Sequence, residues 1–378
     1  MNILVTGARA PIAADIVRAL VEAGHQVWTA DSLRFPVGRF APGARGYVQL
    51  PPPRQDFLSF SRKLVAACRQ FGIEHIIPTS EEVFWLAAVD LPAGCRGFFP
   101  SRAVLGQLHN KAEFAALAES LGYGAGHSEV LRTRAELDAF ARDFKIDQYV
   151  LKPVYSRFAS EVVVHPTPAG IAHIQPSGDA PWLAQRRAVG REVCTYNIAL
   201  EGELILHAAY QPRFRAGKGA GIYFQPVASG ALRNMAADFA KATGATGQLS
   251  FDVIEDKRGL VALECNPRGT SGAHLAAQNL RRFGKALVGQ EAAGAELFQP
   301  AMLSVPMLMY HPSLLMHRNG REAWNAASDA MAASGIPLWA QGLAMAEMLA
   351  RAAAAGKGAL AGTTHDIEWN GEEIGVRA

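Results

Sequence analysis

The sequence predicts an α/β protein with an α+β continuation: a small, Rossmann-like, doubly wound domain first, then a sheet-rich body of different texture. Three observations carry this reading. An apolar strand, a glycine turn and a helix lead straight into a second strand within residues 1–31, which is a βαβ start. A third short apolar run, His75 to Pro78, follows another helical stretch. From about Ala103 the pattern changes to two helices, a strand and then long alternating segments that continue to about Asn266.

Taken in order, Ile3 to Val5 is a buried strand, Gly7 its turn, and the helix that follows ends at Gly24. Gln26 to Ala30 is the second strand, closed by Asp31. The stretch Phe35 to Pro53, rich in Gly, Pro and Arg, is loop, and a helix over about Phe57 to Phe71 leads to the third strand. Helices around Lys111 to Leu121 and Thr133 to Phe144 precede a strand, Tyr149 to Pro153. Ala-rich helical segments fill about 272–293 and 321–355, and a short strand, Asp366 to Trp369, with an acidic turn closes the chain. The last 80 or so residues read as an appended lobe.

Composition narrows the function. The 378 residues suffice for two or three domains, and 49% apolar with 19% charged residues is a globular balance. A net charge of +3 is too small for sequence-independent nucleic-acid binding. Cys68, Cys95, Cys194 and Cys265 show neither CxxC nor Cys/His spacing, which argues against a zinc ribbon or a disulfide framework and fits a cytoplasmic protein. MNILVTGA lacks a basic signal-peptide region, and the weakly charged stretch Gln299 to His317 is broken by Pro306 and Pro312, so no membrane segment is expected.

TGARAPIAADI, with Asp31 ending the next strand, invites a dinucleotide reading. Only Gly7 stands where three glycines are needed, which leaves a tight strand-to-helix turn as the better account.

The segment GQLSFDVIEDKRGLVALECNPRGTSGAHL alternates on both sides of a polar turn at Asp256 to Gly259, the pattern of a β-hairpin. With the turn centred at residue 258, Asp252 and Glu264 sit opposite each other and Asn266 shares their face. Two carboxylates and an amide oxygen this close suit Mg²⁺ shared with substrate phosphates; the alternative is a solvated face on an edge hairpin. Arg268, next to this cluster, is what a phosphoryl transition state needs. Cys265 points to the opposite, core face.

Lys111 in LHNKAEF, Lys152 in QYVLKPVYSR, the pair Gln185 and Glu192 seven residues apart, and D-x11-E-x-N-P-R follow one another in an order that resembles the ATP-grasp superfamily, in particular its carboxylate–amine ligases. The resemblance covers about residues 1–300. It implies a Rossmann-like pre-ATP-grasp domain over 1–103, a two-lobed ATP-grasp domain over 104–300 with nucleotide between lobes 104–183 and 184–300, and a lobe over 301–378. It implies phosphate contacts for Lys111 and Lys152, adenine recognition by Gln185 and the hinge at Arg186 and Ala188, and a ribose grip for Glu192. Asp252, Glu264 and Asn266 match the ligands of two Mg²⁺ ions, with Mn²⁺ as a substitute, and Arg268 matches an arginine near the γ-phosphate and acyl group. Arg213, Arg215 and Lys218 lie on the loop YQPRFRAGKGAGIYF, of which Arg215 and Lys218 are the further catalytic candidates.

One departure stands out: the stretch after Lys152 where relatives carry a glycine-rich loop reads VYSRFAS, leaving Ser156, Arg157 and Ser160 as substitute donors. Glu81 and Glu82 in PTSEEVF could receive an amine or serve as helix N-terminal acids, and His274 in GTSGAHL could stand beside the acyl group or serve as a satisfied helix-start residue. The implied reaction activates a small-molecule carboxylate with ATP as an acyl phosphate and passes it to an amine, releasing ADP and phosphate. The alternatives are a phosphotransferase or carbamoyl-phosphate-type enzyme, a non-catalytic ATP-binding protein and, last, a nicotinamide oxidoreductase. No nucleic-acid or membrane partner is expected, and a homodimer is expected only because closed dimers are common.

Overall fold

The structure, a computed structural model, describes residues 1–157, 161–217, 219–290 and 298–375. Asn2–Val5 (β1), Gln26–Asp31 (β2), Ala44–Gln49 (β3), His75–Ile77 (β4) and Arg96–Gly97 (β5) form a parallel sheet in the order β3-β2-β1-β4-β5. Ile3, Leu4 and Val5 are all fully buried, the continuous apolar run that a parallel sheet covered on both faces requires. The helix Phe57–Phe71 is capped by Asp56 on the Ser59 N–H (3.0 Å) and is stopped by Gly72 in the left-handed region.

The strand order turns at β1 and β4, the place where such sheets open a ligand crevice. Here the chain fills it. Arg9 binds Asp31 (2.6 Å) and Asp366 (2.5 Å), and Ser32 donates to Asp366 as well. Gly7, at φ +65°, could not be another residue, because a Cβ there would lie 2.5 Å from the Glu82 carboxylate. A glycine-poor turn with an arginine in it leaves no room for a pyrophosphate.

Ser128–Leu131 (β6), Tyr149–Pro153 (β7), Val163–Val164 (β8) and Trp182–Arg186 (β9) form an antiparallel sheet in the order β6-β9-β7-β8. It packs Leu131, Tyr149 and Leu151 against Leu137 and Phe140 of the helix Arg134–Asp143. The chain then crosses at residues 187–190 into a larger sheet of Arg191–Leu200 (β10), Glu203–Ala216 (β11), Ala220–Pro226 (β12), Gly247–Asp256 (β13), Gly259–Asn266 (β14), Ala301–Met302 (β15) and Ser328–Asp329 (β16), ordered β14-β13-β10-β11-β12-β15-β16. Helices Lys111–Ser120 and Gly230–Thr243 cover this sheet through stacked Phe114, Phe239 and Phe251, with Cys265 buried in the same core.

The Ala-rich segments are helical but interrupted. Ala273–Ala276 and Leu280–Leu287 are separated by Asn279, whose side chain caps the second helix, and Gly335 with Pro337 separates Ala330–Ala333 from Leu338–Ala354. The expected strand at Asp366 to Trp369 does not form. The N–H groups of Ile367 and Glu368 both close on the Thr364 carbonyl at 2.8 Å, so a turn uses the donors that a strand would need. This segment lies on the first domain, with Trp85 Nε1 donating to the Ile367 carbonyl (2.9 Å) and Trp369 stacked on Phe84. Among the described residues no helix is long and apolar enough to cross a membrane.

Candidate functional site

A cleft of about 650 Å³ lies between the two antiparallel sheets. Eleven of the twelve candidate residues line it: Lys111, Lys152, Gln185, Arg186, Ala188, Glu192, Arg215, Asp252, Glu264, Asn266 and Arg268. Lys218 lies outside the described residues.

One end is built by the β13–β14 hairpin. Asp252 pairs with Glu264 and Ser250 with Asn266, so the three oxygen donors share a face as the alternation requires. The turn is tighter than expected, with Asp256 opposite Gly259, which on its own would set Asp252 against Leu263. A β-bulge at Leu263 adds the missing residue and restores the pairing. The bulge has a second use: its carbonyl accepts from Lys152 Nζ at 3.0 Å.

Lys111 opens its helix just after Asn110, whose side chain accepts from the Ala112 and Glu113 N–H groups. Its ammonium reaches Glu264 (3.2 Å) and donates to the Ser156 carbonyl (2.9 Å). Both lysines are nearly buried. Burial depresses Lys152 to about 8, although Glu264 pulls the other way. Desolvation, together with neighbouring Glu264, pushes Asp252 up to about 7. Burial also works against ionised Glu264, but Lys111 and Lys152 outweigh it and hold its carboxylate below the usual range. Burial and mutual repulsion thus favour the protonated form of Asp252, while the lysines favour ionised Glu264, and Cys194 lies opposite Asp252 on β10. Two paired carboxylates beside an amide oxygen are a hard-oxygen set that fits a divalent cation such as Mg²⁺.

Arg268 donates to Asn266 Oδ1 (3.1 Å) and the Gly269 carbonyl (3.1 Å), and lies 3.6 Å from Glu81. Glu81, almost fully buried, also receives Arg157 Nε. Glu82 instead braces the end of β4, accepting from Thr6 Oγ1 (2.9 Å) and the Thr79 N–H (3.1 Å).

The other end is apolar and flat. Val150, Val164, Ile254 and Leu263 line it, with Gln185 buried at its rim on β9. The Arg186 N–H donates to the His127 carbonyl and the Arg187 N–H to the Gln148 carbonyl, both at 2.8 Å, fixing the crossing between sheets. Glu192 is paired with Arg215, whose other donor goes to the Gly219 carbonyl (2.8 Å). The fold thus brings Arg215 to Glu192. His274 is placed elsewhere: it bonds Asp15 (2.6 Å) and ties its short helix to Ile12–Glu22 instead of lining the cleft.

Sequence reasoning missed one residue of this wall and the partners of a segment behind it. His109 lines the cleft next to Lys111, its ring tilted against Phe84 at 4.4 Å; the junction LHNK was the available signal. The 367–371 segment holds Arg157 and Tyr155; its sequence, within DIEWNGEE, read as an edge strand and turn that could cap the site or join subunits, without naming these partners. Arg157, one of the substitute donors, gives Nε to Glu81, NH1 to Asn370 and NH2 to the Trp369 carbonyl. Ser160 lies outside the described residues.

No protein-family model and no curated protein matches the chain. Solved structures do. The biotin carboxylase domain of Hydrogenobacter thermophilus 2-oxoglutarate carboxylase, solved with MgADP, ADP and bicarbonate, superposes with a TM-score of 0.61 at 14% identity over 80% of this chain and 74% of that one. An L-amino acid ligase from Bacillus licheniformis gives 0.59 at 14% identity over 79% and 78%. Phosphoribosylamine–glycine ligase from Thermotoga maritima gives 0.59 at 14% identity over 80% of each chain. The chain therefore has the mixed α/β ATP-grasp fold with a preceding parallel-sheet domain, as the order of its motifs implied.

Proposed function

We propose that this protein is an ATP-dependent ligase that activates a small-molecule carboxylate as an acyl phosphate and joins it to an amine. The observation that supports it best is the convergence, at one end of one cleft, of Lys111 and Lys152 with the Asp252, Glu264 and Asn266 oxygens and Arg268. Residues as far apart as 111 and 268 meet where a triphosphate would end, while the apolar pocket beside Gln185 and the 186–188 crossing would take the base. Glu192 stands where ribose hydroxyls would lie, and ligand binding would have to draw Arg215 away from it or bond both.

In this reading Asp252, Glu264 and Asn266 would hold Mg²⁺, which when bound would supply neutralisation of phosphate charge. Lys111 and Lys152 are point charges on phosphate oxygens, already desolvated and held in place before ATP arrives. The carboxylate oxygen attacks the γ-phosphorus, the bond to ADP breaks, and Arg268 meets the charge on the transferring group. The amine then attacks the acyl carbon and phosphate leaves with the bonding pair, the amine's proton passing to a base or water. The neighbours' own substrates differ from one another, and the carboxylate and amine used here are to be found by screening.

The test is ADP release in the presence of Mg²⁺ with pools of carboxylic acids and amines, followed by mass spectrometry of the product. An amide appearing with stoichiometric ADP is the expected result. A stable phosphorylated compound would move the assignment to a phosphotransferase, and MgATP binding without turnover under any pool would leave a non-catalytic nucleotide-binding protein.

A further inference from the structure

Ser156 is the residue whose carbonyl receives the Lys111 ammonium (2.9 Å), and the residues on both sides of it are gripped by one distant segment. On one side, Trp369 meets the Tyr155 ring edge-on at 5.8 Å, and Gly371 packs so closely that a Cβ would lie 2.8 Å from that ring. On the other side, Arg157 NH1 donates to Asn370 Oδ1 (2.6 Å) and NH2 to the Trp369 carbonyl (2.7 Å), while Nε goes to Glu81. The same carbonyl accepts from His109 Nε2 (3.1 Å), whose ring lies between Phe84 and Tyr155. Trp369 is itself stacked on Phe84, so the segment rests on the first domain while holding the end of β7.

Glycine-rich loops hold phosphates with backbone N–H groups; a chain without those glycines must hold its phosphate end in another way. We propose that residues 367–371 form a strap that positions Lys111 and Arg157 at the phosphate end of the cleft, so that nucleotide affinity depends on Trp369 and Asn370. This rests on the nucleotide reading above and adds to it. The strap residues act through others: Asn370 and the Trp369 carbonyl each accept from one terminal nitrogen of the Arg157 guanidinium, which fixes Ser156 and, through its carbonyl, the Lys111 ammonium. Arg157 so held also keeps Glu81 in place beside Arg268.

The experiment is isothermal titration of MgATP into the full chain, its Asn370→Ala variant and its Asn370→Asp variant, with thermal unfolding of each. Asn370 is half-buried at the edge of the molecule, so its removal leaves the core intact. The expected result is a weakening of MgATP binding by about 10- to 100-fold in Asn370→Ala, the scale of one hydrogen bond to a charged group. Asn370→Asp, which keeps the acceptor, restores binding to within about threefold, and the melting temperatures of the two variants agree. In turnover the loss falls on KM for ATP more than on kcat. Equal MgATP affinity in the wild type and Asn370→Ala would overturn the strap and leave the nucleotide site standing. A wild type that does not bind MgATP would overturn the nucleotide site and the strap with it.

Discussion

Glu264→Gln is expected to lower Mg²⁺-dependent ADP release by about 10²–10³-fold, the cost typical of removing one preorganised charge from a transition-state site. The substitution keeps the shape of the side chain and its place opposite Asp252. What it removes is the negative charge on which Lys111 and Lys152 converge, and with it one of the oxygen ligands proposed for Mg²⁺. The loss should appear in both MgATP affinity and kcat, because the same carboxylate serves ground state and transition state. Glu192→Gln, at the ribose end, should raise KM for ATP with kcat nearly unchanged, since it removes binding that is uniform along the reaction. Steady-state ADP release at saturating Mg²⁺ separates the two variants. Glu264→Gln activity within tenfold of wild type would return the hairpin to a solvated edge.

The largest stability effect should follow Arg9→Ala. Asp31 would be left in a nearly dry crevice without its cation and Asp366 with only Arg351 at 3.3 Å, which costs about 3–5 kcal/mol at neutral pH. The loss should shrink in acid, because the stranded carboxylates protonate. Wild type has the opposite slope. Burial resists ionisation of Asp366, but Arg9 outweighs it and holds the carboxyl down to about 2. A group whose folded pKa is depressed contributes stability above its unfolded value and loses it as pH falls through the folded one. Asp366 should therefore contribute about 2 kcal/mol above roughly pH 4, lost progressively towards pH 2. Urea unfolding at pH 7, 4 and 2.5 reads both slopes. Parallel curves for wild type and Arg9→Ala across that range would show that the crevice network carries no net stability.

Much of the cleft was legible because strands alternate with period two and helices start at caps. Those local rules placed Asp252, Glu264 and Asn266 on one face and Lys111 at a helix start. The opposition of Asp252 and Glu264 came out right although the expected turn did not, because the bulge at Leu263 offset the tighter turn; period-two reasoning carries no information about a bulge. Arg215 was placed by chemistry alone, and its real partner is decided by which strand lies beside β11, a long-range choice. The strand expected at 366–369 failed for the same reason: alternation over four residues is weak, and side-chain anchors on another domain captured the backbone first.

The sequence by itself determined the order and spacing of the charged groups and the faces they occupy on their own hairpins and helices, because each of these is fixed within a few residues of chain; the ATP-grasp fold was implied by the resemblance of that order to the superfamily. Only the tertiary structure decided that Arg9 and Asp366 close the dinucleotide crevice, that Arg215 pairs with Glu192, and that a strap more than two hundred residues away holds Arg157. Those outcomes rest on contacts between segments with no local pattern linking them. A guanidinium takes whichever carboxylate the packing of whole domains brings within 3 Å.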